Sequence, residues 1–340
     1  MEDNMTQMTS EPSVQPAATT KSGLDASRRP YIWVNGSLVP KEEAAISVFD
    51  HGLLYGDGIF EGIRIYNGKI FKCEQHMDRL YKCCDQIFID LAKHVSRQEM
   101  IDIQRQCIEV NGIVNGYIRL VITRGVGTLG LNPYLCPVPG VVCIADKISL
   151  FTPEMYDKGM RVVVAHRPKT PIACLDPRVK TLNYLNNIMA KCEAIHVTQK
   201  MGITDPSEQM LEVIMLNTEG KVAEGSGDNI FVVKDGKMIT PPSDVGILEG
   251  VTRRFVKDVL CPACGIEIEE RLFELDEIYN ADEVFLTGTA AEIIAVREVI
   301  EHENLEVAKT HTISDGEGPI TKKLRAMFRE VVTSDNVPED

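Results

Sequence analysis

The segment Glu224-Gly-Ser-Gly-Asp-Asn-Ile-Phe231 carries an acid and two glycines directly after a short apolar stretch that predicts a β-strand. Glycine has no side chain, so the backbone of such a segment can approach a flat ligand closely. The carboxylate of Glu224 would then lie where it could pair with a ring nitrogen. The same residues are equally typical of a β-bulge turn with a solvated Glu, so this segment alone leaves both interpretations open.

Two later turns have the composition of anion-binding sites. Gly250-Val-Thr-Arg-Arg254 opens a predicted helix, and the first backbone amides of a helix have no partner within it and attract phosphate. Leu286-Thr-Gly-Thr-Ala-Ala291 follows a predicted strand, and its amides and hydroxyl groups also suit an anion. Each of these signals is weak when it is taken alone.

An amine and a phenol lie in the segment Asp176-Pro-Arg-Val-Lys-Thr-Leu-Asn-Tyr-Leu-Asn-Asn187. Lys180 is either a surface residue, which is the favoured interpretation in isolation, or a buried amine with a lowered pKa that can form a Schiff base. Tyr184 follows about one helical turn later, at the start of a predicted helix, and could face the same pocket. An amine, a phenol, an acid and two anion-binding turns together predict a pyridoxal phosphate pocket.

These regions resemble the class IV pyridoxal-phosphate aminotransferases, the group that contains the branched-chain and D-amino-acid transaminases. The resemblance rests on Asp176–Asn187 and on the pattern Glu224-x-Ser-x-x-Asn-Ile-Phe231, Met238-x-Thr240 and Leu248-x-Gly-Val-x-Arg253. A match over about 30 residues is far more specific than a short motif. The resemblance runs from about residue 31 to residue 332. It implies an α/β protein (α+β, with mixed sheets) that has the two-domain, D-amino acid aminotransferase-like architecture of fold type IV.

The resemblance implies a role for each group of the cofactor pocket. Lys180 would form the internal aldimine with pyridoxal 5'-phosphate and move a proton between the substrate Cα and the cofactor. Tyr184 would hydrogen-bond the 3'-oxygen, and Glu224 would pair with the pyridine nitrogen, which lets the ring draw off carbanion electrons. The segment His76-Met-Asp-Arg-Leu80 resembles the family's His-x-x-Arg-Leu pattern. The implied phosphate ligands are Arg79, the Val251 and Thr252 amides and the Thr289 hydroxyl.

Further matches concern the substrate. Gly116-Tyr-Ile-Arg119 resembles the Tyr-x-Arg pattern of the branched-chain enzymes, in which the Tyr helps to hold the α-carboxylate and the Arg meets the distal carboxylate of glutamate. The turn at Ala290 and Ala291 would bind the α-carboxylate. The resemblance therefore implies transamination of the branched-chain L-amino acids Leu, Ile and Val with 2-oxoglutarate. The implied substrate-binding residues are Tyr55, Phe60, Arg64, Tyr117, Arg119, Ala290 and Ala291.

Three other functions stay open at this point. Asp57-Gly58 is more typical of the D-amino-acid transaminase and aminodeoxychorismate lyase branches of the same fold. A non-enzymatic binding or redox module could use the pair in Cys261-Pro-Ala-Cys264, although a helix end that happens to carry two thiols is the favoured interpretation. The seven histidines show no paired metal-ligand spacing, so we expect no metal site.

The composition excludes several classes of function. The 340 residues carry 36 basic and 50 acidic side chains, and a net charge of −14 disfavours binding to nucleic acid or to an anionic membrane surface. Ten cysteines without a recognisable secretory leader indicate a reducing environment, so we expect a cytoplasmic protein.

The pattern along the chain predicts two domains between two tails. A disordered tail over residues 1–30 precedes a small α+β domain over 31–147, in which Asn35-Gly36 predicts a hairpin and Ser96-Arg-Gln-Glu99 a helix-capping box. An interdomain loop over 148–160 leads to a large cofactor-binding domain over 161–333, and residues 334–340 form a second tail. The resemblance implies a homo-oligomer, at least a dimer, whose site lies between the two domains.

Overall fold

The computed structural model describes residues 24, 25, 27 and 29–340, and its strands form two mixed or antiparallel sheets. The tail predicted for residues 1–30 therefore lies almost entirely outside the described residues. Among the helices that the structure describes, none is both long and apolar enough to cross a membrane.

The N-terminal unit is a six-stranded sheet with two longer helices. Its elements are β1 (Tyr31–Val34), β2 (Ser37–Pro40), α1 (His51–Tyr55), β3 (Gly58–Tyr66), β4 (Lys69–Ile70), α2 (Cys73–Gln86), α3 (Arg97–Asn111), β5 (Gly116–Thr123) and β6 (Gly140–Asp146). The strand order is β2-β1-β6-β5-β3-β4, and the helices α2 and α3 pack against the sheet over one apolar core.

Local sequence signals account for the ends of several of these elements. Asn35 and Gly36 have φ of 46° and 99°, as a type I′ turn requires, so the predicted hairpin is confirmed. The capping box at the start of α3 is also present, because Ser96 and Glu99 each accept a hydrogen bond from the other's amide. Helix α2 ends at Gln86, and Phe88, which follows two residues later, adopts a left-handed conformation with φ of 60°.

The C-terminal unit is a nine-stranded sheet flanked by helices. Its elements are α4 (Pro153–Lys158), β7 (Met160–Val164), α5 (Leu185–Lys200), β8 (Glu212–Leu216), β9 (Val222–Glu224), β10 (Asn229–Lys234), β11 (Lys237–Thr240), α6 (Val251–Phe255), a π-helical turn (Val256–Leu260), α7 (Cys261–Cys264), β12 (Ile268–Glu270), α8 (Leu275–Tyr279), β13 (Glu283–Gly288), β14 (Glu292–Glu303), β15 (Glu306–Thr312) and α9 (Pro319–Thr333). The strand order is β12-β11-β10-β13-β14-β7-β8-β9, with β15 beside β14. Parallel pairs of β7 with β14 and β8 make this sheet mixed, as predicted.

Residues 148–160 are more ordered than the predicted loop. They contain α4, whose first turn is capped by the Thr152 hydroxyl at 3.3 Å from the Met155 amide. Pro153 at the first helical position has a fixed φ that suits a helix start, so the sequence did carry a signal for this helix. Strand β7 then begins at Met160, inside the predicted loop.

The two units join along the edge of β3 and through an aromatic core. The Phe60 amide donates to the Lys180 carbonyl at 3.0 Å, and the Leu182 amide donates to the Gly58 carbonyl at 2.9 Å. Phe71 of the first unit contacts the rings of Phe255 and Phe328, with ring centroids 5.3 and 5.8 Å apart. The chain that carries Lys180 therefore runs beside β3, which it meets in a single antiparallel bridge between Ile59 and Thr181.

The last residues of the chain lie against the first unit. The amides of Lys72 and Glu74 donate to the carbonyls of Pro338 and Glu339, at 2.8 and 2.9 Å. Val337 is buried in the aromatic core. These contacts provide acceptors for amides at the start of α2, which have no partner within the helix.

Candidate active site

The Lys180 amine lies where the two units meet. Its Nζ donates to the Tyr184 hydroxyl at 3.0 Å and lies 4.3 Å from the centre of the Phe60 ring. Burial and the positive charge of Arg79 lower the pKa of this amine to about 8. Both effects favour the neutral form, which is the nucleophile, so the structure supports the buried-amine interpretation over the surface one.

The pKa of Lys180 predicts a distinct pH profile for its chemical modification. The neutral fraction rises as the pH rises through the pKa, so acylation of Lys180 in the cofactor-free protein should reach half its plateau near pH 8. The exposed side chain of Lys237 provides an internal reference for the reactivity of a lysine at the protein surface. Brief labelling with acetic anhydride and peptide mass spectrometry would measure both, and identical profiles for the two lysines would contradict this prediction.

Aromatic and cationic side chains surround the amine on one side. The rings of Phe60 and Tyr184 meet edge to face with centroids 4.9 Å apart, and the Arg119 guanidinium lies 4.7 Å from the centre of the Phe60 ring. Arg119 Nη2 also donates to the Tyr117 hydroxyl at 3.4 Å. A Cβ on Gly62 would lie 1.7 Å from that hydroxyl, so only glycine leaves room for Tyr117 in this position.

Glu224 is buried and held on both of its oxygens. Oε1 lies 2.8 Å from Lys169 Nζ, and Oε2 accepts from Asn229 Nδ2 at 2.9 Å and from the Leu248 amide at 3.1 Å. These contacts fix the orientation of the carboxylate within the site. Lys169 is not predicted from the sequence, in which the one signal for it is that a buried carboxylate needs a cationic partner.

Arg79 contacts both a buried carboxylate and the phosphate-type turn. Its Nε and Nη2 donate to Glu61 at 2.7 Å each, and its Nη1 donates to the Glu249 carbonyl at 2.9 Å. Burial favours the neutral acid, but Arg79 and His76 outweigh it and hold the pKa of Glu61 far below its usual range. Three of the five guanidinium N–H groups are used in the described part of the chain, which leaves two for a ligand. Sequence reasoning missed Glu61.

The remaining predicted phosphate ligands lie at the ends of neighbouring elements. Val251 and Thr252 are the first two residues of α6, which begins two residues after Glu249, whose carbonyl Arg79 contacts. Thr289 is in the turn between β13 and β14. The pairing of Asn229 with Thr287 brings this turn to the same edge of the sheet as Glu224, to which Asn229 donates.

The predicted substrate residues form two groups. Phe60, Tyr117 and Arg119 lie beside Lys180, as described above, and the second group lies at the β13–β14 turn. Ala290 and Ala291 lie in the β13–β14 turn, and Arg64 contacts Glu292, which follows this turn. Tyr55 lies apart from them: it is 37% exposed, and its hydroxyl donates to the Leu129 carbonyl. Within residues 29–340, no hydrogen bond, ion pair or ring contact links it to Lys180.

The structure accounts for two of the features that pointed to other functions. The carboxylate of Asp57 forms two hydrogen bonds with Arg124, at 2.8 and 2.9 Å, and is therefore committed to a structural ion pair. Cys261 is buried beside Met238, and burial raises its pKa to about 12. A thiol with such a pKa is inert at neutral pH, which argues against a redox role for the Cys261–Cys264 pair.

One cavity of the described chain lies at the predicted site, and a larger one lies away from it. A cavity of about 30 Å³ contacts Lys169, Tyr184 and Glu224. A larger one of about 790 Å³ lies in the N-terminal unit between Trp33, His94 and Val138, and none of the predicted site residues line it.

Comparison with known proteins agrees with this geometry. The family model described as amino-transferase class IV matches residues 58–299. A putative branched-chain-amino-acid aminotransferase of Methanocaldococcus jannaschii is 42% identical over 302 residues, which cover 89% of this chain and 96% of that protein. The crystal structure of the Escherichia coli branched-chain amino acid aminotransferase has a TM-score of 0.79 and 31% identity, with 89% and 94% of the two chains covered.

A second solved structure carries a cofactor form. It is the branched-chain amino acid aminotransferase of T.th. with pyridoxamine 5'-phosphate, and its TM-score is 0.76 at 31% identity, with 89% and 94% of the two chains covered. The region that the family model matches includes Lys180, Glu224 and the turns around them, so similarity in sequence and in fold points the same way. This chain is a member of the class IV aminotransferase family.

Proposed function

We propose that this protein transfers the amino group of the branched-chain L-amino acids to 2-oxoglutarate with pyridoxal 5'-phosphate as its cofactor. The observation that carries the proposal is the Lys180 amine, which is partly buried, lies 3.0 Å from the Tyr184 hydroxyl and has a lowered pKa. The relatives that are named branched-chain aminotransferases support the choice of substrate.

The donor set fits the cofactor. Lys180 offers an amine for its aldehyde carbon, Tyr184 a hydroxyl for its 3'-oxygen, and Glu224 a fixed carboxylate for its ring nitrogen. When bound, the cofactor supplies an electron sink for the carbanion that forms at the substrate Cα. The groups that would hold its phosphate are the two remaining N–H groups of Arg79, the Val251 and Thr252 amides and the Thr289 hydroxyl.

The chain's own residues would position both substrates and move the proton. Lys180, in its neutral form, would accept the proton from the substrate Cα and return it during the transfer. The Ala290–Ala291 amides and the Tyr117 hydroxyl would hold the α-carboxylate. Arg119 lies over the Phe60 ring, so the same pocket offers an apolar face to a branched side chain and a cation to the distal carboxylate of 2-oxoglutarate.

A donor panel with 2-oxoglutarate as the acceptor tests this function. We expect glutamate formation from L-Leu, L-Ile and L-Val and far less from D-Ala and D-Glu. Activity confined to the D-amino acids would contradict the proposed substrate. Release of pyruvate from an aminated chorismate without an acceptor would favour a lyase instead.

We also propose that the protein is a homodimer. Helix α5 begins five residues after Lys180, and its residues Leu185, Ile188 and Met189 are 67%, 55% and 42% exposed. Their spacing places them on one helix face, which a second copy would remove from water. The segment around Leu53 and Tyr55 is exposed in the same way and would complete the contact.

The ten cysteines, which are free thiols, support a place in the cytoplasm.

A charge on the exposed face of α5 should break this dimer. We expect Ile188→Arg to sediment as a monomer at concentrations at which the wild type is dimeric, because the new guanidinium would be buried without a partner. Val114→Arg is the matched control, since Val114 is 60% exposed in the N-terminal unit and is not on this face. Analytical ultracentrifugation measures the outcome, and an unchanged dimer in the Ile188→Arg variant would place the interface elsewhere.

A further inference from the structure

Glu292 has a backbone conformation that is unusual for its residue type. It closes the three-residue turn Thr289–Ala291, opposite Gly288 in the β13–β14 hairpin, with φ of 61°. Glycine is the default residue at such a left-handed position, because a side chain there is strained. Strain of this kind persists only where surrounding contacts hold it, and it clusters at functional sites.

The Glu292 side chain provides those contacts. Its carboxylate is 3% exposed, and Oε1 accepts from the Tyr66 hydroxyl at 2.7 Å and from Arg64 Nη2 at 3.2 Å. Oε2 lies 2.8 Å from Nη2 of Arg329, which is on α9. Burial and the charge of Glu292 raise the pKa of Tyr66 well above its usual range, so its hydroxyl remains a donor.

These contacts link elements that are distant in sequence. Arg64 and Tyr66 belong to β3 of the N-terminal unit, whereas the turn belongs to the C-terminal sheet. The turn is also fixed from the other side, because the Tyr156 hydroxyl of α4 donates to the Ala291 carbonyl at 3.0 Å. A change at Glu292 therefore acts on the turn and on Arg64 together.

We propose that Glu292 is a positioning residue that holds the Thr289–Ala291 turn and Arg64 in one arrangement and so determines how tightly the site binds substrate carboxylates. The inference rests on the proposed function, which gives this turn the α-carboxylate of the substrate. Glu292 would act only through these neighbours and would not contact the reacting atoms.

Three substitutions separate the carboxylate from the backbone. Glu292→Gln keeps the side-chain shape and removes the charge, and Glu292→Gly relieves the strain while it removes every contact. Tyr66→Phe removes one donor and leaves Glu292 in place, which keeps the test possible if the other variants do not fold. Glu298→Gln is the matched control, because Glu298 lies on the same strand but pairs with Arg161 at 2.7 Å.

The readouts are chosen so that a general structural defect can be recognised. For Glu292→Gln and Glu292→Gly we expect KM for L-Leu and for 2-oxoglutarate to rise about tenfold, since both substrates carry the α-carboxylate, with kcat within about threefold. Tyr66→Phe should change KM in the same direction by about threefold. The dissociation constant of pyridoxal phosphate should rise by no more than about threefold in any variant, because Thr289 is one of four residues proposed to hold the phosphate, and Glu298→Gln should resemble the wild type.

Binding of 4-methylvalerate, measured by calorimetry on the cofactor-loaded enzyme, tests the inference without turnover. We expect its affinity to fall about tenfold in Glu292→Gln, because this ligand offers only a carboxylate and a branched chain. Unchanged carboxylate affinity, or an equal loss of affinity for pyridoxal phosphate, would overturn the inference. A wild type that binds 4-methylvalerate but does not transaminate would contradict the proposed function alone.

Discussion

Replacing Lys180 by alanine is expected to lower the rate of transamination from L-Leu by at least about 10⁴-fold, because the group that would move the proton at the substrate Cα is lost. The substitution removes an amine from a site between the two units and leaves the apolar cores intact. We therefore expect the free energy of unfolding of the cofactor-free protein to change by less than about 1 kcal/mol. Single-turnover assays and denaturant titration measure the two quantities.

A control is needed to tie the effect to this one amine. Lys237→Ala removes a lysine whose side chain is 69% exposed, and its rate should equal that of the wild type. Borohydride treatment of the loaded wild type should leave the mass of the reduced cofactor on the peptide that contains Lys180. Retained turnover in Lys180→Ala, or cofactor mass on another peptide, would refute the assignment.

Replacing Glu224 by glutamine is expected to lower kcat for L-Leu by about 10²-fold or more with a smaller change in KM. The carboxylate would stabilise positive charge on the ring nitrogen while electrons flow into the ring, and a neutral amide cannot do so. The same change leaves Lys169 buried without its partner at 2.8 Å. Loss of one member of a buried ion pair typically destabilises by about 3–5 kcal/mol, so stability must be measured alongside activity.

The double variant Lys169→Met, Glu224→Gln separates the two effects. It removes both charges, so we expect it to recover most of the lost free energy of unfolding while kcat stays low. Recovery of both stability and kcat would show that the charge of Glu224 has no role in the reaction. Lys169→Met alone measures the cost of leaving the Glu224 carboxylate with its two other hydrogen bonds but without a cationic partner.

The sequence was informative where function depends on residues that are close together in the chain. Lys180 and Tyr184 are four residues apart, and the phenol lies beside the amine because the chain bends at Leu182, just before α5 begins at Leu185. Glu224 and Asn229 share one segment, and a hydrogen bond of 2.9 Å joins them. Short-range geometry of this kind can be inferred from residue types and spacing.

The partners that fix these residues could not be inferred in the same way. Glu61 meets Arg79 only because α2 crosses β3, and Lys169 meets Glu224 across the sheet. Neither pair has a spacing that predicts contact. Glu292 illustrates a further limit, because sequence preferences predict glycine at a left-handed turn position and cannot show that the strain is held by long-range contacts.

The backbone hydrogen bonds between β3 and the Lys180 segment limit how this protein can move. Enzymes that close by hinge rotation need a flexible joint between two bodies, yet here Phe60 and Leu182 fasten the bodies together on both sides of the reactive amine. The shared ring contacts of Phe71 add a second attachment. We therefore expect substrate access to depend on displacement of peripheral loops rather than on rotation of one unit against the other.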